Sequence, residues 1–300
     1  MTALRRALKD RPFVTTHCMI SPRPVALRAA GGLFAAAFML LAAPHAALAQ
    51  GRLEAHYEAT LAGIPIGRGA WTIDVADDQF TASAFGGTAG LLKAFAGGTG
   101  TGASQGRIVN GALVPTNYSA TTTTSKKSEA IHMVLAGGNV REYVIEPEPP
   151  VDAGRIPLTD AHRRGVYDPM TGAMLRVPGT SDPLSPDACR TGAAIFDGRM
   201  RYDLKLDYKR METVKAERGY HGPALVCSIY FTPVAGYIPD RPVIKYLAAQ
   251  RNIEIAFVPV AGTRILVPFR LVIPTPFGTA MLEATQFITQ ATPPRVAKTQ

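Results

Sequence analysis

From Met200 to Lys209 the chain alternates without a break. Met200, Tyr202, Leu204, Leu206 and Tyr208 fall on one side, and Arg201, Asp203, Lys205, Asp207 and Lys209 on the other. A period of two places alternate side chains on opposite faces of an extended strand, whereas a helix would scatter the same residues around its axis. The segment is therefore predicted to be a half-buried strand. Its charged row alternates in sign, which suits a solvated face better than a binding site. Asp197-Gly198 precedes it, and that dipeptide favours a tight hairpin turn, so residues 193–196 are its expected antiparallel partner.

The same period recurs along most of the chain. Leu53, Ala55, Tyr57, Ala59 and Leu61 oppose Glu54, His56, Glu58 and Thr60; after a turn over 63–67, Gly69, Trp71, Ile73 and Val75 continue it, and 79–85 makes a third strand. Residues 97–106, crowded with Gly, Thr and Ser, read as a bent or bulged strand. Further strands are expected at 118–124, 131–135, 140–145, 224–231, 252–260, 264–273 and 280–288. Helix signals are few. A single turn fits 91–96 and another 246–250, while Asp168-Pro169 sets an N-cap before a proline, with Met170, Met174, Leu175 and Val177 as an apolar stripe. This inventory predicts an all-β chain: a strongly curved antiparallel sheet forming a barrel or half-barrel, with one or two short helices. Curling of this kind avoids two long open edges. Two packed sheets are the alternative.

The first 49 residues read differently. An uncharged run from Ala29 to Ala43 follows Arg23 and Arg28 and leads to Ala47-Leu48-Ala49, the three parts of a cleavable secretory signal. The run is too short and too rich in alanine to favour a membrane span, which needs roughly 20 apolar residues. Residues 1–49 are thus expected to be a signal peptide, with Met19 as an alternative start, 50–290 a single β-rich periplasmic domain and 291–300 a flexible tail. No cysteine stands immediately after the cleavage point and the C-terminus is polar, so no lipid or membrane anchor is expected after cleavage. Six basic residues and one acidic residue precede position 50, so removing them lowers the formal net charge from +9 to +4. No basic cluster interleaved with aromatics follows, and a nucleic-acid partner is not expected.

Two cysteines remain, Cys189 and Cys227. An oxidising compartment favours one disulfide over the alternative of two buried free thiols.

Signals for chemistry are sparse. Gly102-Ala103-Ser104-Gln105-Gly106 has the form G-x-S-x-G, but a nucleophile elbow needs a buried strand before the serine and a helix after it, and neither flank provides one. His56, His132, His162 and His221 are scattered and form no metal-ligand spacing, so neither a metal nor a cofactor is expected. Asp160 and His162 lie in an irregular stretch where acid or base chemistry could sit. The last hundred residues carry many aromatics. Among them Tyr230, Tyr237, Phe257, Phe269 and Phe277 are candidates to line the interior of a curled sheet, which binds apolar ligands if wide and is simply core if narrow.

Several landmarks stand in a characteristic order. They are Ser104-Gln105-Gly106 before Val114-Pro115, Asp168-Pro169, Cys189, Phe196-Asp197-Gly198-Arg199, Arg201-Tyr202-Asp203-Leu204, Ala224-Leu225-Val226-Cys227 before Pro233-Val234-Ala235-Gly236-Tyr237, Val267-Pro268, Gly278 and Leu282-Glu283-Ala284-Thr285. In this order they resemble the alphaproteobacterial exported proteins of the family called domain of unknown function 3108, over roughly residues 53–288. The resemblance implies an exported, β-rich protein of unassigned activity and carries over no catalytic residue. It also supports the Cys189–Cys227 bridge, since both positions coincide with cysteines of that group. By looser analogy of fold it is similar to curved periplasmic β-proteins that handle lipid or maintain the envelope. The expected function is an envelope-associated protein that binds a lipid or other apolar ligand, or an envelope protein partner. The alternatives are a hydrolase with its site around Asp160 and His162, and a structural scaffold with a filled core.

Overall fold

The alternating segments pair into one antiparallel sheet. The computed structural model describes residues 50–292 apart from 91, 92 and 94–96. The expected signal peptide, most of the expected turn at 91–96 and residues 293–300 of the expected tail lie outside the described residues. Among the described residues there are fifteen strands and two short α-helices. The first seven strands are β1 (Gly51–Leu61), β2 (Ile64–Val75), β3 (Gln79–Thr88), β4 (Gly98–Val109), β5 (Ala112–Thr124), β6 (Ser128–Ala136) and β7 (Asn139–Glu146). A middle segment carries α1 (Pro169–Gly172) and the two-residue β8 (Leu175–Arg176). There follow β9 (Gly192–Phe196), β10 (Arg201–Lys215), the short β11 (Arg218–Gly219), β12 (His221–Ala235), α2 (Pro242–Ala249), β13 (Ile253–Pro259), β14 (Ile265–Thr275) and β15 (Gly278–Ala291).

In space the order is β7-β6-β5-β4-β3-β2-β1-β15-β14-β13-β12-β10-β9. Two meanders are thus joined where the first strand meets the last, from Gly51 opposite Ala291 to Leu61 opposite Ala280. The ladder does not close on itself, yet its two ends touch. Arg199, in the turn between β9 and β10, donates from Nε to Glu129 of β6 at 2.9 Å, and the rings of Tyr143 and Phe196 meet edge-on at 5.5 Å. Between them, Val166 donates to the Gly138 carbonyl, Tyr167 donates to the Ala194 carbonyl, and Phe196 donates back to Tyr167. Tyr118, Met133, Leu135, Val166 and Phe196 form the apolar cluster at this junction. Full burial of side chains of this size stabilises by roughly 1.5–3 kcal/mol each.

Local chemistry explains the elements. In β1 the inward residues Leu53, Ala55 and Tyr57 are buried and the intervening Arg52, Glu54 and His56 are exposed. The Asp197-Gly198 hairpin forms as expected: Asp197 Oδ1 accepts from the backbone N–H of Arg199 and Met200, and Gly198 takes φ of 92°, a region that disfavours a Cβ. The charged row of β10 is paired along its length, Arg201 with Asp203, Lys205 with Asp207 and Lys209 with Glu254, but it is solvated only in part: Lys205 is exposed, whereas the Arg201 side chain is largely buried. The bulge expected within residues 97–106 lies across the ladder instead: β4 keeps an unbroken register with β3, and where it pairs with β5 the register shifts between Gln105 and Gly106 because Thr116 of β5 is the extra residue.

Three further expectations need correction. The helix after Asp168 stops at Gly172, because Leu175 and Arg176 pair with Leu266 and Ile265 of β14, and the apolar stripe that suggested a longer helix is extended there. The turn at 246–250 belongs to the eight-residue α2, which starts at Pro242 and ends at Ala249. The turn after β1 is only Ala62-Gly63, so residues 64–67 already belong to β2.

Alternation fails where both faces are covered. On β12, Ala224 and Val226 enter one apolar cluster, while Leu225, Cys227 and Ile229 enter another with Ile253, Ile255 and Phe257 of β13. A strand buried on both faces reads as a continuous apolar run.

Candidate functional site

The curl leaves space inside. A cavity of about 780 Å³ lies between β1–β3 and β10, β12–β14, with residues 167–178 along one side. Trp71, Leu113, Leu206, Ile255, Phe257 and Leu271 contribute to an apolar wall. Tyr57 also faces it, and its hydroxyl is already satisfied by donating to the Pro268 carbonyl at 2.7 Å. Tyr202, Leu204 and Leu206, grouped on one face of β10 by sequence alternation, all line this space. Residues drawn from both meanders meet here only because the sheet curls.

The five aromatic candidates do not come together. Phe257 lines the cavity. Phe269 is fully buried in the main core against Phe287 and Tyr220. Tyr230 is half-buried, with Lys205 and Arg251 near its ring face, and Tyr237 is half-buried just past the end of β12. Phe277 is 81% exposed in the turn joining β14 to β15. The five stand on β12, just past its end, on β13, on β14 and in the β14–β15 turn, facing different sides of the sheet, so a count of aromatics does not define one wall.

Ser104 is buried, and it has a partner. Its hydroxyl donates to Asp168 Oδ2 at 3.0 Å and lies 3.0 Å from Thr171 Oγ1. Asp168 caps α1, accepting from the N–H of Met170 and Thr171 through Oδ1, and from the Thr171 hydroxyl at 2.6 Å through Oδ2. Burial pushes the Asp168 carboxyl above its ordinary range, against the opposing pull of bonds from Thr171, Ser104 and Met170. The network ties α1 to β4. The flanking glycines have packing reasons: a Cβ on Gly106 would sit 2.3 Å from the Val114 carbonyl oxygen and 2.6 Å from the Phe80 ring, and one on Gly102 would press on Met170 Sδ at 3.0 Å. The G-x-S-x-G pattern here serves close strand and helix contact.

Asp160 and His162 sit in a 3-10 turn, Asp160–Arg163. Asp160 pairs with Arg163 and is mostly exposed, while His162 Nδ1 accepts from the Thr159 N–H at 3.1 Å. The described contacts do not bring either residue to Ser104. Among the described residues no group of three His, Cys, Asp or Glu side chains could hold a metal ion.

Cys189 and Cys227 are both fully buried, with their Sγ atoms at disulfide distance, 2.06 Å, and their Cα atoms 5.7 Å apart. They join the loop before β9 to the middle of β12. Both belong to the apolar cluster behind the cavity wall.

Among solved structures, the chain is similar to a beta-barrel-like protein of domain of unknown function DUF1849 from Brucella abortus. The two are 10% identical with a TM-score of 0.44, and the match covers 82% of this chain and 100% of that one. No curated protein matches. Residues 56–285, from within β1 to within β15, match the family described as "Protein of unknown function (DUF3108)", and the chain belongs to that family.

Proposed function

We propose that this is an exported periplasmic protein that holds an apolar ligand, such as a lipid chain, inside a half-barrel whose two ends meet across residues 166–167. The observation that carries the reading is the cavity of about 780 Å³ with its largely apolar wall. Its volume falls in the range of roughly 300–1,000 Å³ typical of small-molecule sites. The apolar run from Ala29 to Ala43 and the small residues up to Ala49 support export. A scaffold would instead fill its interior, and catalysis would need groups convergent on the space, whereas Ser104 and Asp168 bond to one another and to Thr171.

The test is occupancy. The neutral dye N-phenyl-1-naphthylamine should brighten on binding the purified protein. Ala84→Trp, which puts bulk into the cavity wall, should abolish this without lowering the melting temperature. Organic extraction of protein prepared without detergent should release acyl chains. A dark dye together with a clean extract would overturn the proposal.

A further inference from the structure

One residue in the cavity wall does not match the rest. Arg176 is charged among otherwise uncharged lining residues. Its neighbour in charge is another cation: burial, followed by the like charge of Arg264, holds the Arg176 guanidinium below its usual range. Among the described residues neither arginine forms an ion pair with a carboxylate, although sixteen such pairs are found elsewhere in the protein. The polar contact found for Arg176 is a long 3.4 Å bond to the Val177 carbonyl. Arg264 is committed differently, donating to the carbonyls of Val177 and Pro178 at 2.9 and 3.1 Å, and so it fixes the backbone beside Arg176.

The placement is rigid and lies at an opening. Arg176 is held opposite Ile265 of β14 by the β8 pairing. Pro178, two residues on, lines the cavity and is exposed to water. A half-buried guanidinium without a counter-charge is costly, and its planar fork of donors matches the two oxygens of a carboxylate or phosphate.

We infer that the cavity takes an anionic amphiphile, with the chain along the apolar wall and the acidic headgroup, carboxylate or phosphate, on Arg176. This rests on the ligand-binding reading above and adds the sign of the headgroup to it.

The experiment separates the two claims. Protein produced from its full coding sequence is stripped of lipid and loaded with the neutral dye. The dye is then displaced by dodecanoate, dodecyl phosphate and 1-dodecanol, which share one chain length. At least one of the anions should displace it about tenfold more tightly than the alcohol, the lower end of what a hydrogen bond to a charged group contributes. Whichever anion leads identifies the headgroup source, a fatty acid or a phospholipid. Arg176→Gln should bring the preference, taken as the ratio of anion to alcohol affinity within the same variant, close to one, and Arg176→Lys, which keeps the charge but loses the fork, should fall between. If dye binds but the three ligands compete equally, or the preference survives in Arg176→Gln, the headgroup assignment is overturned and the cavity reading stands. Absence of dye binding removes both.

Discussion

Replacing Ser104 by alanine tests whether its hydroxyl ties the structure together. The hydroxyl donates to Asp168 at 3.0 Å, and both residues are buried. A hydrogen bond to a charged group contributes about 1.5–3 kcal/mol. Asp168 keeps three other donors, the Met170 and Thr171 N–H groups and the Thr171 hydroxyl, so the carboxyl is not left bare and the cost falls toward the lower half of that range. Ser104→Ala is expected to cost about 2 kcal/mol, a drop in melting temperature of about 4–8 °C for a domain of this size. Urea unfolding followed by far-UV circular dichroism measures it directly, with an unchanged m-value showing that the unfolded state is not the cause. A double-mutant cycle with Asp168→Asn should give a coupling of about 1 kcal/mol, because the two side chains share one network. A Ser104→Ala protein within about 0.5 kcal/mol of wild type would refute the argument, since that is the range of substitutions that touch nothing important.

Two further outcomes follow from buried groups. Burial raises the Asp168 and Asp197 carboxyls, so the folded state holds their protons more tightly than the unfolded chain. Their contribution to stability is fully present below the unfolded value and is lost as pH rises through the folded one. Asp168→Asn should therefore flatten part of the stability curve above about pH 4, read from urea midpoints at stepped pH, and an unaltered slope would contradict the assignment. For the cysteines, a sequence separation of 38 corresponds to about 4 kcal/mol on the chain-entropy account, so Cys189→Ser should destabilise by up to that amount. Reductant added during unfolding of the wild type should reproduce the loss; equal stability with and without it would argue for free thiols.

The fold was legible where one face of a strand meets water. In β1 the polar and apolar rows alternate because solvent selects one and the core the other, in β10 Leu206 is buried beside the exposed Lys205 while Tyr208 of the same expected row is exposed, and Asp197-Gly198 sets the β9–β10 hairpin locally. In β12 and β13 both faces are buried, so the pattern becomes a plain apolar run and gives no direction to any one side chain. The helix after Asp168 was marked at its start by a cap, which is local, and its end is decided by pairing with β14, far away in sequence. The candidate site behaves alike. Tyr202, Leu204 and Leu206 could be grouped from the sequence because they share one strand face, but Trp71, Phe257 and Arg176 join them only through curvature. An unpaired arginine leaves no mark in a sequence, since pairing is a property of neighbours in space.

The junction between the ends of the sheet has a mechanical consequence. Elsewhere, separating two adjacent strands means breaking a row of main-chain bonds, as between β4 and β5. At the junction, the two ends are joined by the Arg199–Glu129 pair, the edge-on contact of Tyr143 with Phe196 and the short main-chain links of Val166 and Tyr167. Prising the ends apart would therefore break few main-chain bonds but would expose the cluster of Tyr118, Met133, Leu135, Val166 and Phe196, so burial rather than hydrogen bonding shuts this line of the wall.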